Sequence, residues 1–161
     1  MAKLSDEKAT SYFQRSYTAV DGLWFMKVEE MYGFEAALEV DGAVWKVMPK
    51  IQARALKPVV GKDSGLEALY ACLTTKFSLE DFCFNIRKEE EYLEIEIKKC
   101  PWREMMVKSG RSHLAEKVSG LICQIEHSAW ACEFGDIEFE IGARMCDGSK
   151  SCLLKFEIHR S

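Results

Sequence analysis

The sequence predicts an α+β fold, in which N-terminal helices precede a ββ-α-ββ arrangement that forms an antiparallel sheet packed against a long helix. Up to about residue 78, apolar residues recur close to every 3.6 positions, which is typical of helices. Beyond that point apolar and polar residues alternate, which is typical of strands. The 161 residues are 48% hydrophobic, enough for one compact core. We therefore expect a single domain over 1–161, helical over 1–78 and cysteine-rich α+β over 79–161.

The helical half is divided by capping residues and by proline. Ser5 is a residue type that caps helix starts, and Gly33 is one that ends helices. Pro49 lies inside a helical pattern, where a missing N–H group should kink or split the helix. The predicted order is a helix from Ser5 to Gly33, a short helix over 34–40, a longer one capped by Asp41, a turn over 58–65 and a helix after Ser64.

The second half reads as two hairpins separated by helices. Phe82, Phe84 and Ile86 alternate with polar or small residues and predict the first strand. The further elements are a strand through Leu93, Ile95 and Ile97, a short helix over 101–107, a long helix over 112–132, and a second hairpin that contains Ile137, Phe139, Ile141, Leu153, Phe156 and Ile158.

Charge and hydropathy exclude two classes of partner. The chain has 22 basic and 26 acidic residues and a net charge of -4, so it lacks the basic excess that nucleic-acid binding needs. No apolar run approaches the roughly 20 residues that span a bilayer. The polar N-terminal segment shows no secretory signal. We expect a cytoplasmic protein that contacts neither nucleic acid nor membrane.

Seven cysteines are many for a chain in a reducing compartment, which disfavours structural disulfides. Cys72 and Cys83 lie in apolar segments and are interpreted as core residues. Cys132, next but one to Trp130, is interpreted in the same way. The clustering of five cysteines in the last 62 residues points to a site. These five are Cys100, Cys123, Cys132, Cys146 and Cys152.

Four of these cysteines come from segments that the predicted packing could bring together. Cys100 ends a strand just before a helix, where the helix N-terminus favours a thiolate. Cys123 and His127 are four residues apart on the long helix and share a face. Cys146 and Cys152 bracket the turn "CDGSKSC". Thiolates and an imidazole suit zinc, and four thiolates suit an iron–sulfur cluster.

Each of these residues also has an alternative interpretation. His127 would serve equally well as a hydrogen-bonded interior histidine. Cys146 and Cys152 would form a cross-hairpin disulfide or remain two free thiols. The sequence therefore predicts zinc or an iron–sulfur cluster held by Cys100, Cys123, Cys146 and Cys152, with His127 as an alternate ligand.

A second candidate site lies in the first helix, where Asp21 and Gly22 interrupt an aromatic-rich pattern. A mid-helix glycine costs about 1 kcal/mol and often marks close packing or a ligand. Asp21 and Trp24, with Trp130 from the long helix, are therefore candidate ligand-binding residues. The alternative is that Trp24 and its neighbours fill the core. The candidate partners are a small molecule or metal ion, and a second copy through the first helices.

The stretch "AVDGLWFMKVEEMYGFEAALEVDGAVW" resembles the opening of a small bacterial and archaeal family related to L-2-amino-thiazoline-4-carboxylic acid hydrolase-like proteins. "CPW" at 100–102 and Cys123 on the following helix are similar to those proteins as well. The closing "MCDGSKSCLLKFEI" resembles the last motif of 4-vinyl reductase domains, which are small-molecule-binding modules.

These resemblances imply two functions. The hydrolase relatives imply a cysteine-dependent enzyme that opens a C–N bond in a small heterocycle, with Cys100 as nucleophile and His127 as its base. The vinyl-reductase-like module implies a ligand sensor with cysteines at its pocket or metal. The sequence favours the cysteine-rich small-molecule or metal-binding protein, with the hydrolase as the alternative. A structural or interaction domain with incidental cysteines is a third possibility.

Overall fold

The computed structural model describes residues 4–159 and confirms the α+β class. The chain divides into two compact units, Met1–Asp41 and Gly42–Ser161. The helices are α1 Asp6–Tyr32, α2 Phe34–Trp45, α3 Met48–Val60, α4 Gly65–Leu79, α5 Pro101–Lys108 and α6 Ser112–Phe134. The strands are β1 Cys83–Lys88, β2 Tyr92–Lys99, β3 Ile137–Ile141 and β4 Cys152–Ile158, with a 3-10 turn at Met145–Asp147.

The first unit is dominated by α1, whose predicted limits are confirmed. The Ser5 hydroxyl accepts a hydrogen bond from the Lys8 N–H at 3.4 Å, and Gly33, at φ 91°, ends the helix. None of the 27 residues of α1 is buried. Trp24 is 68% exposed, so its interpretation as a core residue is wrong.

Pro49 lies at the start of α3, whereas no helix begins at Asp41. The predicted break at Asp41 is wrong, because α2 continues through it. The predicted break at Pro49 is confirmed, because α3 begins one residue earlier and holds Pro49 in its first turn, where the missing N–H costs nothing. The helix continues past Pro58 to the left-handed Gly61, so the predicted turn begins later than expected.

The four strands form one antiparallel sheet in the order β1-β2-β4-β3. The last strand of the chain, β4, therefore lies between β2 and β3. Ile95 of β2 pairs with Leu154 of β4, and Phe139 of β3 pairs with Phe156 of β4. Because side chains alternate across a strand, these residues share one face and bury it.

The core of the second unit lies between this sheet face and the helices α3, α4 and α6. Trp130 of α6 is fully buried and stacks on Phe134, with ring centroids 5.9 Å apart. The predicted packing of the long helix against the sheet is confirmed. The largest fully buried side chains are Trp130, Phe77, Phe134, Phe156, Leu69, Leu73, Leu93 and Ile95.

Candidate functional site

The four cysteines predicted as ligands come from four separate elements of the second unit. Cys100 follows β2 and is the N-cap of α5, and Cys123 lies midway along α6. Cys146 lies in the 3-10 turn, and Cys152 is the first residue of β4. Ile97 of β2 pairs with Cys152, so the sheet itself brings the end of β2 beside the start of β4.

The thiols of these four residues lie close enough to influence one another electrostatically. Burial raises the pKa of Cys123 well above its ordinary value, and Glu126 and the other three thiols raise it further. Burial also raises the pKa of Cys152, and Cys146 adds to that effect. Because like charges disfavour a second anion nearby, mutual effects of this kind require proximity. We call Cys100, Cys123, Cys146 and Cys152 the four-cysteine cluster.

Polar groups of α6 and of the turn contact two members of the four-cysteine cluster. The Ser119 hydroxyl lies 2.9 Å from the Cys146 sulfur. Ser119 and Cys123 are four residues apart on α6, so they share the face that looks onto the turn. The backbone N–H of Met145 donates to the Cys152 sulfur at 3.2 Å, and this contact lowers the pKa that burial raises.

Two arginines stand beside the four-cysteine cluster. Arg144 donates to both carboxylate oxygens of Asp147 at 2.7 and 3.0 Å, which fixes the guanidinium across the turn. A Cβ at Gly120 would lie 2.9 Å from Arg144 Nη1, so the glycine leaves room for the guanidinium against α6. Arg103 and Arg144 both lower the pKa of Cys152. The sequence reasoning missed both, although each lies within three residues of a cluster cysteine.

Cys100 is a neutral thiol at physiological pH. Burial raises its pKa to about 11, and Cys152 and Glu126 add to the increase. Hydrogen bonds from the backbone N–H groups of Arg103 and Trp102, at the start of α5, lower the pKa of Cys100. The helix N-terminus therefore acts on this thiol as predicted, but burial outweighs it.

His127 lies among aromatic rings, although it is only four residues from Cys123. Its ring centroid is 5.3 Å from that of Phe139, 6.1 Å from Phe77 and 6.3 Å from Phe156. Burial lowers the pKa of His127 to about 4, so the imidazole is neutral at pH 7. Within residues 4–159, its Nδ1 has no hydrogen-bond partner. The roles of His127 as alternate ligand and as base stay predictions.

A buried ionic group adjoins the four-cysteine cluster. The ammonium of Lys76, which is 3% exposed, lies 2.9 Å from a carboxylate oxygen of Glu126 and 2.9 Å from one of Glu80. Lys76 lowers the pKa of Glu126 although burial raises it. Glu126 therefore stays ionised, and its charge raises the pKa values of Cys100 and Cys123.

The remaining cysteines lie outside the four-cysteine cluster. Cys72 is buried as predicted, but Cys83 and Cys132 are exposed, so their interpretation as core residues is wrong. Cys83 begins β1, an edge strand of the sheet. Cys132 is two residues from the buried Trp130, which places it on the opposite side of α6.

The three candidate ligand-binding residues are divided between the units. Asp21 and Trp24 belong to α1 of the first unit, and Trp130 belongs to α6 of the second. Trp130 stacks on Phe134 and is fully buried, while Trp24 is largely exposed. Their role in ligand binding stays a prediction.

The four cluster cysteines form no disulfide and do not converge on one point. All seven cysteines are unpaired. Among residues 4–159, no group of three or more His, Cys, Asp or Glu side chains is arranged to hold a metal ion. The donor types suit zinc, but the thiols would need to turn towards one point.

In the described part of the chain, no helix combines the length and the apolar character needed to cross a bilayer.

Comparison with models of protein families finds a match over most of the chain. Residues 3–147 match a family model described as "Family of unknown function (DUF6125)". No curated protein and no solved structure matches the chain. The resemblances to hydrolase-like proteins and to 4-vinyl reductase domains therefore stay predictions.

Proposed function

The chain belongs to the family of unknown function DUF6125, and we propose that it is a metal-binding protein whose four-cysteine cluster holds zinc. An iron–sulfur cluster is the alternative cofactor for the same ligands. One observation carries the proposal: four cysteines from separate elements lie around one end of the sheet. There Cys152 pairs with Ile97 of β2, and the Ser119 hydroxyl of α6 lies 2.9 Å from the Cys146 sulfur. We place the protein in the reducing cytoplasm, where such thiols stay available for metal.

Zinc would relieve the electrostatic conflict within the four-cysteine cluster. Burial and the neighbouring thiols raise the pKa values of Cys123 and Cys152, and raise that of Cys100 to about 11. A dication among them favours the thiolate form, and its binding displaces the protons. Four thiolates in a tetrahedron are a common structural zinc site, with Zn–S distances of about 2.3 Å.

The two arginines beside the cluster also support a tetrathiolate site, whereas the charge of Glu126 opposes it. Four thiolates and one zinc ion carry a net charge of -2, which is costly to bury without nearby cations. Cys146 and Cys123 add to the increase in the pKa of Arg144, and Arg103 lowers the pKa of Cys152, so both guanidiniums interact electrostatically with the cluster. In this proposal the two guanidiniums offset the charge, and rotation of the cysteine side chains closes the site.

The hydrolase alternative has less support. Its nucleophile would be Cys100, which burial holds as a neutral thiol with a pKa of about 11. Its base would be His127. The charged groups that affect the pKa of His127 are Glu126 and Lys76, and Cys100 is not among them. A small-molecule ligand for the protein also stays a prediction.

Metal content tests the proposal, with a matched pair of variants on α6. We expect anaerobically purified protein to carry about one zinc ion per chain, or stoichiometric iron and sulfide. Cys123→Ser removes a ligand and should lower the metal content at least tenfold. Cys132→Ser, on the same helix but exposed and outside the cluster, should leave the content unchanged.

Two outcomes would overturn the proposal. One is a wild-type protein that is purified without metal and takes up no zinc. The other is equal metal content in the Cys123→Ser and Cys132→Ser variants. A metal-free protein in which iodoacetamide modifies Cys100 rapidly at neutral pH would instead support the hydrolase.

A further inference from the structure

A stripe of large apolar side chains runs along the exposed surface of α1. Its members, Phe13, Val20, Trp24 and Met31, are 56–69% exposed. At 3.6 residues per turn, positions 13, 20, 24 and 31 fall within about 40° of the helix circumference. We call these four residues the α1 stripe. Tyr12 and Leu23, also more than half exposed, flank it on one side.

The α1 stripe has the character of a contact surface. A helix of a globular protein normally turns such a stripe towards a core, yet α1 buries none of its residues. Contiguous exposed apolar patches mark interaction sites. Lys27 lies at the edge of the stripe, and its ammonium pairs with Glu30 of the same helix at 2.7 Å, which offsets its charge.

The spacing within the α1 stripe is symmetric. Residues 13 and 31 lie equally far from residue 22, and so do residues 20 and 24. In a two-fold interface, residue i contacts residue j of the partner while residue j contacts residue i. An antiparallel pair of α1 helices centred on residue 22 would place Phe13 against Met31 and Val20 against Trp24 of the second copy, each contact occurring twice.

From this symmetry we propose that a second copy of the chain covers the α1 stripe, through an antiparallel pairing of the two α1 helices. The stripe and its flanking Tyr12 and Leu23 expose roughly 100 Å² each, several hundred Å² in all. A standard interface buries about 800 Å² per partner, so these six side chains would supply much of that area and neighbouring polar residues the rest. Methionine against an aromatic ring is a favourable contact for the Phe13–Met31 pair.

The mass of the full chain in solution tests the pairing. We expect the wild-type protein to sediment as a dimer of twice 18.4 kDa at micromolar concentration. Val20→Lys and Trp24→Glu should each give a monomer with unchanged helix content. Val59→Glu, at a position that is 72% exposed on α3, is the matched control and should remain dimeric.

The predicted register adds a test that misfolding cannot mimic. Position 20 of one copy faces position 24 of the other, so mixing the Val20→Lys and Trp24→Glu variants should restore a dimer containing one copy of each. A wild-type monomer at all concentrations tested would overturn the proposal, as would a mixture that stays monomeric. Wild-type monomers that pellet with anionic phospholipid vesicles would assign the stripe to a lipid surface instead.

Discussion

We expect the Lys76→Met variant to lose about 3–5 kcal/mol of unfolding free energy, because it leaves the buried Glu126 and the half-buried Glu80 without their cation. Lys76 is the ammonium that Glu80 and Glu126 share, at 2.9 Å from each, and it joins α4 to α6. Methionine fills the space of the aliphatic stem but cannot neutralise the charge. Urea unfolding at pH 7.5, followed by circular dichroism, measures the loss.

A surface pair supplies the control for this prediction. Lys62 lies 3.3 Å from Glu67, and both side chains are about half exposed. Lys62→Met should therefore change the unfolding free energy by less than about 1 kcal/mol. The double variant Lys76→Met, Glu126→Leu should recover part of the lost stability, since it removes one stranded charge. Equal losses for Lys76→Met and Lys62→Met would contradict the account of a buried ionic group.

His127 should make the folded state sensitive to mild acid. Its folded pKa is about 4, below the ordinary value of 6.5, because burial disfavours the imidazolium. The unfolded chain therefore takes up a proton between pH 6.5 and 4 that the folded chain does not. This contribution to stability is complete above pH 6.5 and is lost as the pH falls, by roughly 2 kcal/mol at pH 5.

The His127→Leu variant measures that contribution. Its unfolding free energy should fall between pH 7.5 and pH 5 by roughly 2 kcal/mol less than that of the wild type. Both proteins are compared without metal, so the pH dependence of metal binding does not enter the difference. His113→Leu, at an exposed position, should keep the wild-type pH dependence. If His127→Leu keeps it too, burial of a neutral imidazole is not the cause.

The sheet was predictable because it depends on local pattern and connectivity, whereas a site shared by the four cysteines stays a prediction. Alternation through Leu93, Ile95 and Ile97 predicts a strand with one buried face, which the structure has. Two antiparallel hairpins with a helix across them leave few places for Cys100, Cys123 and the turn cysteines except one end of the sheet.

Solvent exposure and long-range ion pairs were not predictable in the same way. Trp24 has the helical spacing of a core residue, and periodicity cannot tell whether an apolar stripe faces a core or a partner. The exposure of Cys83 depends on the position of its strand, β1, at the edge of the sheet. The ion pair between Lys76 and Glu126 depends on the contact between α4 and α6. Nothing in the spacing of lysines and glutamates along the chain specifies that contact.

X-ray absorption at the zinc edge tests the four-cysteine site most directly, because it counts and identifies the atoms bound to the metal. For wild-type protein loaded with one equivalent of zinc, we predict four sulfur neighbours at about 2.3 Å. Cys123→Ser should lose one of them, and Cys132→Ser should keep all four. A first shell made mainly of nitrogen or oxygen at about 2.0–2.1 Å would contradict zinc binding by Cys100, Cys123, Cys146 and Cys152.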